Sequence, residues 1–444
     1  MSLQRSLARA CVVVLVAVAA LGGCEKVDHG NLDKWMNTAK GPDKIRKALA
    51  DGSIDPDLSA HAAENLLRLN EEDEVLEVLR KLGDDRRAKV LAKLAPRLWK
   101  LARIEGELTE PNGLQITAKD ALFDLRDLAK DATHAEIDGY LIEWFTGGYY
   151  EGRAGRGRWS GAQVMRAIGA AAGEKMIAAA NAVVGAPAKD GRRIKIGDEL
   201  MLGLAVTGHP DAVKYVLDIA GMTDRGDKSL PERAVSALYL AYVEPPSQLF
   251  PVADGAALVP QVDVLERIAK DHDSSPRMVN DAVALIRAAG PPACIEPLVA
   301  LVAQPHDDPM FMWVGANNAL RCGGPGSIVA VAEALPASGQ FWHEELEGGV
   351  VGEIARMSAK DKVQAEARKL LDSRSWVARW VGVEVLGKVG TKEDADRLAA
   401  LGKDKARLVG YWGDQSGLDK KDRKADPTLG QRAAEVAAAL RGAP

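Results

Sequence analysis

Large apolar residues recur through the second half of this chain at an almost constant step, and that period constrains the fold more than any single motif. Leu204 and Leu238 are 34 residues apart; Ile286, Leu320 and Ile354 are again 34 apart, and Leu386 follows after 32. Four residues after most of these anchors stands a small residue: Gly208, Gly290, Gly324, Ser358 and Gly390. Apolar positions then tend to return at steps of three, as Val213, Val216 and Ile219 after Leu204, or Ile295, Leu298 and Leu301 after Ile286. The pattern is a helix, a glycine stop, a second helix, a loop and the same again. Glycine enters the left-handed conformation that ends a helix because it has no Cβ to clash. Each such hairpin exposes an apolar stripe that it cannot bury alone, so neighbours must stack. The one long step, from Leu238 to Ile286, contains a proline-rich stretch, 244–260, that reads as an inserted loop.

The phase extends backward. Met165, Met176, Ile177 and Val183 fit one further unit, and Leu66, Asn70, Val75 and Val78 fit another, with Leu66 and Ile168 three periods (102 residues) apart. Between them the pattern is faint, although helices are expected over 87–103 (bent at Pro96), 118–130 and 135–145. The residues at 133–136, 229–232 and 391–394 look like capping boxes or their Asp variant. A content of 47% hydrophobic but only 5% aromatic residues favours helices packed through small side chains over β-sandwiches. The fold class expected is therefore all-α: an α-solenoid of stacked antiparallel helix pairs, forming one elongated body. The array is expected over 41–420, degenerate in 85–160, with a linker and a capping helix in 421–444. A net charge of -5 provides no electrostatic case for a nucleic-acid partner.

One stretch, 372–390 (DSRSWVARWVGVEVLGKVG), resembles a HEAT unit, and in particular the short HEAT-like repeats of the phycobilisome-lyase type. Asp372, Arg379, Leu386, Gly387, Val389 and Gly390 match that pattern, whereas Val377 stands one place early and Ala378 precedes the arginine. A step of 34 is shorter than the usual HEAT period of about 40–47. The signatures of tetratricopeptide and ankyrin repeats are missing, so a short HEAT-like unit fits best.

The amino terminus concerns address. Arg5 and Arg9 precede an apolar run over 11–21, which breaks at Gly22, Gly23 and Cys24. A basic start, a short apolar core and small residues describe a secretory signal over 1–23. The run is too short to span a bilayer, which needs about 20 residues. Leu21-Gly22-Gly23-Cys24 is similar to the lipobox of bacterial lipoproteins. That resemblance implies a cut before Cys24, diacylglyceryl on its thiol and a further acyl chain, such as palmitate, on the new amine. Two or three chains make a lasting anchor where one does not. Residues 24–40 then form a short polar tether. Glu25 is not the aspartate of an inner-membrane retention signal, which favours the outer membrane facing the periplasm. Cys294 and Cys322, 28 residues apart, would share an oxidising compartment, at ends of consecutive helices that lie side by side. A disulfide and two separately buried thiols both fit.

Tyr140, Trp144, Phe145, Tyr149, Tyr150 and Trp159 crowd one region beside Arg153, Arg156 and Arg158. Aromatics with arginines concentrate at protein interfaces; the alternative is that they fill an irregular joint in the array. The seven histidines are scattered, His272 and His306 in polar loops beside aspartates, and they define no metal site. Phosphate-loop, nucleotide-fingerprint and nucleophile-elbow motifs are missing. The function expected is that of a lipid-anchored cell-envelope lipoprotein working as a protein-protein interaction scaffold. It is expected to be no enzyme and to have no cofactor, small-molecule substrate or nucleic-acid partner. Its partners are the membrane, through the lipid, and an unidentified protein. The alternatives are a purely structural envelope component or, by the family resemblance, a HEAT-like lyase that handles a chromophore.

Overall fold

The computed structural model describes residues 26–105, 110–185, 196–220, 229–245, 252–271, 273–304, 310–337 and 346–442. The signal, Cys24, His272, His306 and His343 lie outside them. Among the described residues the chain is helical, and extended pairing is limited to one isolated bridge between Arg407 and Thr428. Contacts divide it into two compact units, Met1–Ile168 and Gly169–Pro444. Both are α-solenoid in construction: two rows of helices, with successive helices alternating between the rows.

In unit 1 the first row is α1 (His29–Trp35), α3 (Pro56–Arg68), α5 (Asp84–Ala102), α7 (Asp131–Thr146) and α9 (Gly161–Ile168). Each packs on the next. The second row is α2 (Gly41–Ala50), α4 (Glu72–Lys81) and α6 (Gly113–Arg126), and the short α8 (Tyr150–Ala154) touches α7 and α9. Pro96 is accommodated inside α5.

Unit 2 repeats the plan at greater length. Its first row is α11 (Asp198–Ala205), α13 (Leu230–Tyr242), α15 (Pro276–Ala288), α17 (Met310–Gly323), α19 (Gly352–Arg356), α21 (Trp376–Val389) and α23 (Leu429–Arg441). The second row is α10 (Gly173–Gly185), α12 (Pro210–Ala220), α14 (Val262–Lys270), α16 (Ile295–Ala303), α18 (Ile328–Ala334), α20 (Lys360–Leu370) and α22 (Asp394–Ala400). First-row helices pack in succession from α11 to α23, and pairs such as α12 with α13 or α16 with α17 close each repeat.

The six anchors explain the period. Leu204, Leu238, Ile286, Leu320, Ile354 and Leu386 each lie on a different first-row helix, and all are fully buried. One period is one step along the row, and each such side chain contributes about 1.5–3 kcal/mol of burial. Gly208, Gly290 and Gly324 adopt the expected positive φ, at 68°, 76° and 56°. Gly390 does not, with φ −71°. There glycine serves close approach instead, since a Cβ would overlap the carbonyl oxygen of Leu386.

Three expectations change. The stretch 24–40 is not all polar tether, because His29–Trp35 forms α1, whose Leu32 and Trp35 are buried where it packs on α2 and α3. The stretch 244–260 is more than an inserted loop: Gly255–Gln261 forms a 3-10 helix, capped by the Asp254 side chain, that packs on α12, α14 and α15. It fills the second row where α12 and α14 would otherwise leave a gap. The box expected at 133–136 does not start a helix, because α7 begins earlier, at Asp131. Ser229 is an N-cap whose side chain accepts no cap hydrogen bond, and the Asp394 carboxylate reaches back to the Thr391 N–H at 2.9 Å. Among the described residues, complete capping boxes form at Asn112 with Gln115, Ser160 with Gln163 and Thr428 with Gln431.

Candidate protein-binding surface

The aromatic and arginine-rich region of unit 1 is built around a buried cation. Lys119, on α6, is fully buried. Its Nζ donates to Asp120 Oδ1 at 2.5 Å and to the carbonyl oxygens of Arg156 and Trp159 at 2.9 and 2.7 Å. The same nitrogen lies 5.4 and 5.6 Å from the ring centroids of Trp144 and Phe145, within cation–π range. Burial pushes the Lys119 pKa below its ordinary value, and the Asp120 carboxylate opposes that shift. Asp120 in turn accepts from the backbone N–H groups of Arg158 and Trp159 at 2.8 and 3.2 Å. Gly157 immediately precedes them at φ 85°, where any Cβ would run into the Asp120 carboxylate. The arginine-rich loop is therefore clamped to α6 through its backbone, leaving its guanidinium groups for other work.

A second layer of charge lies outside the first. The Arg158 guanidinium reaches Glu72 Oε1 at 3.1 Å and also Asp124 Oδ2. Trp159 Nε1 donates to Asp124 Oδ1 at 3.0 Å, and its ring lies 5.0 Å from Phe123. Burial pushes the Glu72 carboxyl up to about 7, against the pull of Arg158, with Asp124 beside it adding to the rise. Burial raises Asp124 as well. Two carboxyls near one cation in a partly dehydrated site cannot both ionise freely.

This geometry sorts the proposed patch into a core and a rim. Trp144, Tyr150 and Arg153 are buried and cannot meet a partner, so the joint-filling alternative describes them, as it does Phe145. Trp144 Nε1 donates to the Ala102 carbonyl at 3.0 Å, and Arg153 Nη1 donates to the Trp144 carbonyl at 2.6 Å. They turn inward where α7, α8 and α9 pack together, and the large rings fill the space between those helices. Tyr149, Arg156 and Arg158 are exposed and Trp159 is partly so. Tyr140 is half-buried, stacked on Trp99 with centroids 5.1 Å apart and planes 7° off parallel.

In unit 2, Cys294 and Cys322 are paired, with Cα atoms 6.6 Å apart. Cys294 precedes α16 and Cys322 lies near the end of α17. Among the described residues no three His, Cys, Asp or Glu side chains converge as a metal-binding group. His29 and His61 of unit 1 do meet, Nδ1 to Nδ1 at 2.8 Å, with Asp57 3.4 Å from His29 Nε2 and Asp33 2.9 Å from His61 Nε2.

The sequence reading missed the surface of the unit 2 first row. A cleft of about 570 Å³ opens along α11, α13 and α15, where Leu202 and Leu240 lie beside Asp198, Glu232, Arg233 and Arg277. A shallower hollow of about 550 Å³ lies farther along the row, beside Glu347, Arg356 and Lys388. Polar links tie successive row helices together: Asp198 with Arg233 (2.6 Å), Arg287 with Asn318 (3.0 Å) and Arg321 with Glu353 (2.9 Å). Their separations of 35, 31 and 32 residues are each about one repeat. That spacing is the signal that could have found them. Each exposed link contributes only about 0–1 kcal/mol, so together they pattern the surface more than they hold it.

No family model and no curated protein matches the chain. A solved structure similar to it is described as "Structure of the Pds5-Scc1 complex and implications for cohesin function". The two are 11% identical over 92% of this chain, with a TM-score of 0.22, and the match spans 63% of the other chain's length.

Proposed function

We propose that the chain is exported, lipidated on Cys24 and held at the cell envelope, where it serves as a scaffold for a protein partner. The observation that carries the scaffold reading is the first row of unit 2. Among the described residues seven helices pack in succession there, and each inner one contacts both its predecessor and its successor. The remaining faces form a long side-chain surface patterned at one repeat per step, and the Asp198–Arg277 cleft provides mixed apolar and charged footing for a peptide segment. The address rests on the lipobox-like Leu21-Gly22-Gly23-Cys24.

Two measurements test the two halves separately. An alkyne fatty-acid probe should label the parent chain and not Cys24→Ser, and equal labelling of both would remove the lipid reading. Crosslinking in intact envelopes, followed by capture, should enrich one defined protein and lose it on combined Glu232→Ala and Arg277→Ala substitution. Repeated failure to enrich any protein would remove the scaffold reading.

A further inference from the structure

Residues 404–428 run from the 3-10 turn Leu401–Lys403 to α23. Only the last part of this tail, from 421, was expected to be a linker, and the stem is held firmly to unit 2. Leu408 is fully buried, its N–H donates to the Pro427 carbonyl at 3.0 Å, and the Leu429 N–H donates to the Ala406 carbonyl at 2.8 Å. Asp404 takes Arg379 Nε at 2.9 Å, and Tyr411 lies 6.1 Å from the buried Trp380. Beyond the stem the side chains do the opposite of what a solvated linker requires. Among the described residues seven large apolar side chains are more than a third exposed, and Val409, Trp412 and Leu418 supply three of them within ten positions.

The setting of Trp412 points to the kind of surface it meets. Its Nε1 already donates to the Ala425 carbonyl at 3.1 Å, and Lys424 Nζ stands 4.4 Å over its ring. The indole needs no hydrogen-bond partner from outside and offers an apolar face beside a cation. Lys420, Lys421, Arg423 and Lys424 follow within five positions, against Asp419 and Asp422, and all are exposed. Among the described residues no carboxylate forms an ion pair with Lys420, Lys421 or Lys424. A fixed tryptophan flanked by aliphatic side chains and unpaired lysines is the composition that settles at the boundary between lipid headgroups and acyl chains.

We infer that this loop is a second, non-covalent contact of the chain with an anionic bilayer surface. It stands apart from the Cys24 anchor and does not require it. Each cation near such a surface adds about 1 kcal/mol, and the apolar trio adds a small area of burial. The contact forms without a tether and is reinforced where one holds the chain nearby.

The test uses residues 24–444 with Cys24→Ser, which keeps every described residue and removes the lipid. Co-sedimentation with phosphatidylcholine vesicles containing phosphatidylglycerol should exceed that with phosphatidylcholine alone, and should fall as salt is raised. Lys420→Gln with Lys421→Gln should lower the partition by about fivefold per cation removed. Trp412→Ala and Leu418→Ser should each lower it with helicity unchanged. Absence of binding, equal binding to neutral vesicles, or variants that sediment like the parent would overturn the inference. Because Cys24 is absent throughout, none of these outcomes bears on lipidation.

Discussion

Residues 85–160 of unit 1 and the repeats over 196–337 of unit 2 use the same two-row plan and hold it together differently. The unit 2 repeats rest on stacked apolar anchors and glycine stops. The 85–160 segment instead closes on charge, with the buried Lys119–Asp120 pair, Arg126 on Asp138 at 2.5 Å, and Arg158 between two carboxyls. The stretch whose repeat signature is faint is thus the stretch whose core is partly ionic. A charge at a core position erases the apolar period without erasing the helix.

The largest expected effect breaks that contrast at its centre. Lys119→Ala leaves Asp120 buried without its cation and frees the loop at 155–160, costing about 3–5 kcal/mol. Urea unfolding measures it, and a loss below about 1 kcal/mol would mean that the charged core is not what closes unit 1. Leu320→Ala is the counterpart in unit 2, expected to cost about 2–5 kcal/mol through lost burial and a cavity. Gly290→Ala, at φ 76°, should cost about 1–2 kcal/mol through backbone strain; if it stabilises instead, the glycine-stop account fails.

Glu72→Gln changes a slope more than a stability. The folded carboxyl sits near 7 against a reference of 4.5, so the folded state holds a proton that the unfolded chain has released. That stabilisation is complete below about 4.5 and is lost as pH rises through about 7. The parent should therefore weaken between pH 5 and 8 relative to Glu72→Gln, and parallel pH profiles would argue against the raised carboxyl. The smallest effect belongs to the rim. Tyr149→Ala and Arg156→Ala should move stability by no more than about 0.5 kcal/mol, so any loss of partner capture would report binding and not folding.

Much of the candidate surface was legible only in part. Aromatics and arginines at 140–159 were recognisable as a group, but their division into core and rim was not. Arg153 and Arg156 look alike in sequence, and only the packing of α7, α8 and α9 buries the first. The unit 2 cleft was hidden because its lining residues belong to three helices whose polar faces carry no motif.

The sequence by itself determined the helices, their alternation and the step of about 34 residues. Helix hydrogen bonds span four residues and an amphipathic stripe is a local property, so both can be read along the chain. Tertiary structure decided the rest. It chose the partner of Lys119, some 40 positions away at Trp159. It also set the wedge at Gly255–Gln261, the pairing of Cys294 with Cys322, and the outward face of Trp412. Each depends on which backbone arrives beside a side chain after the rows have stacked, and no local period records that.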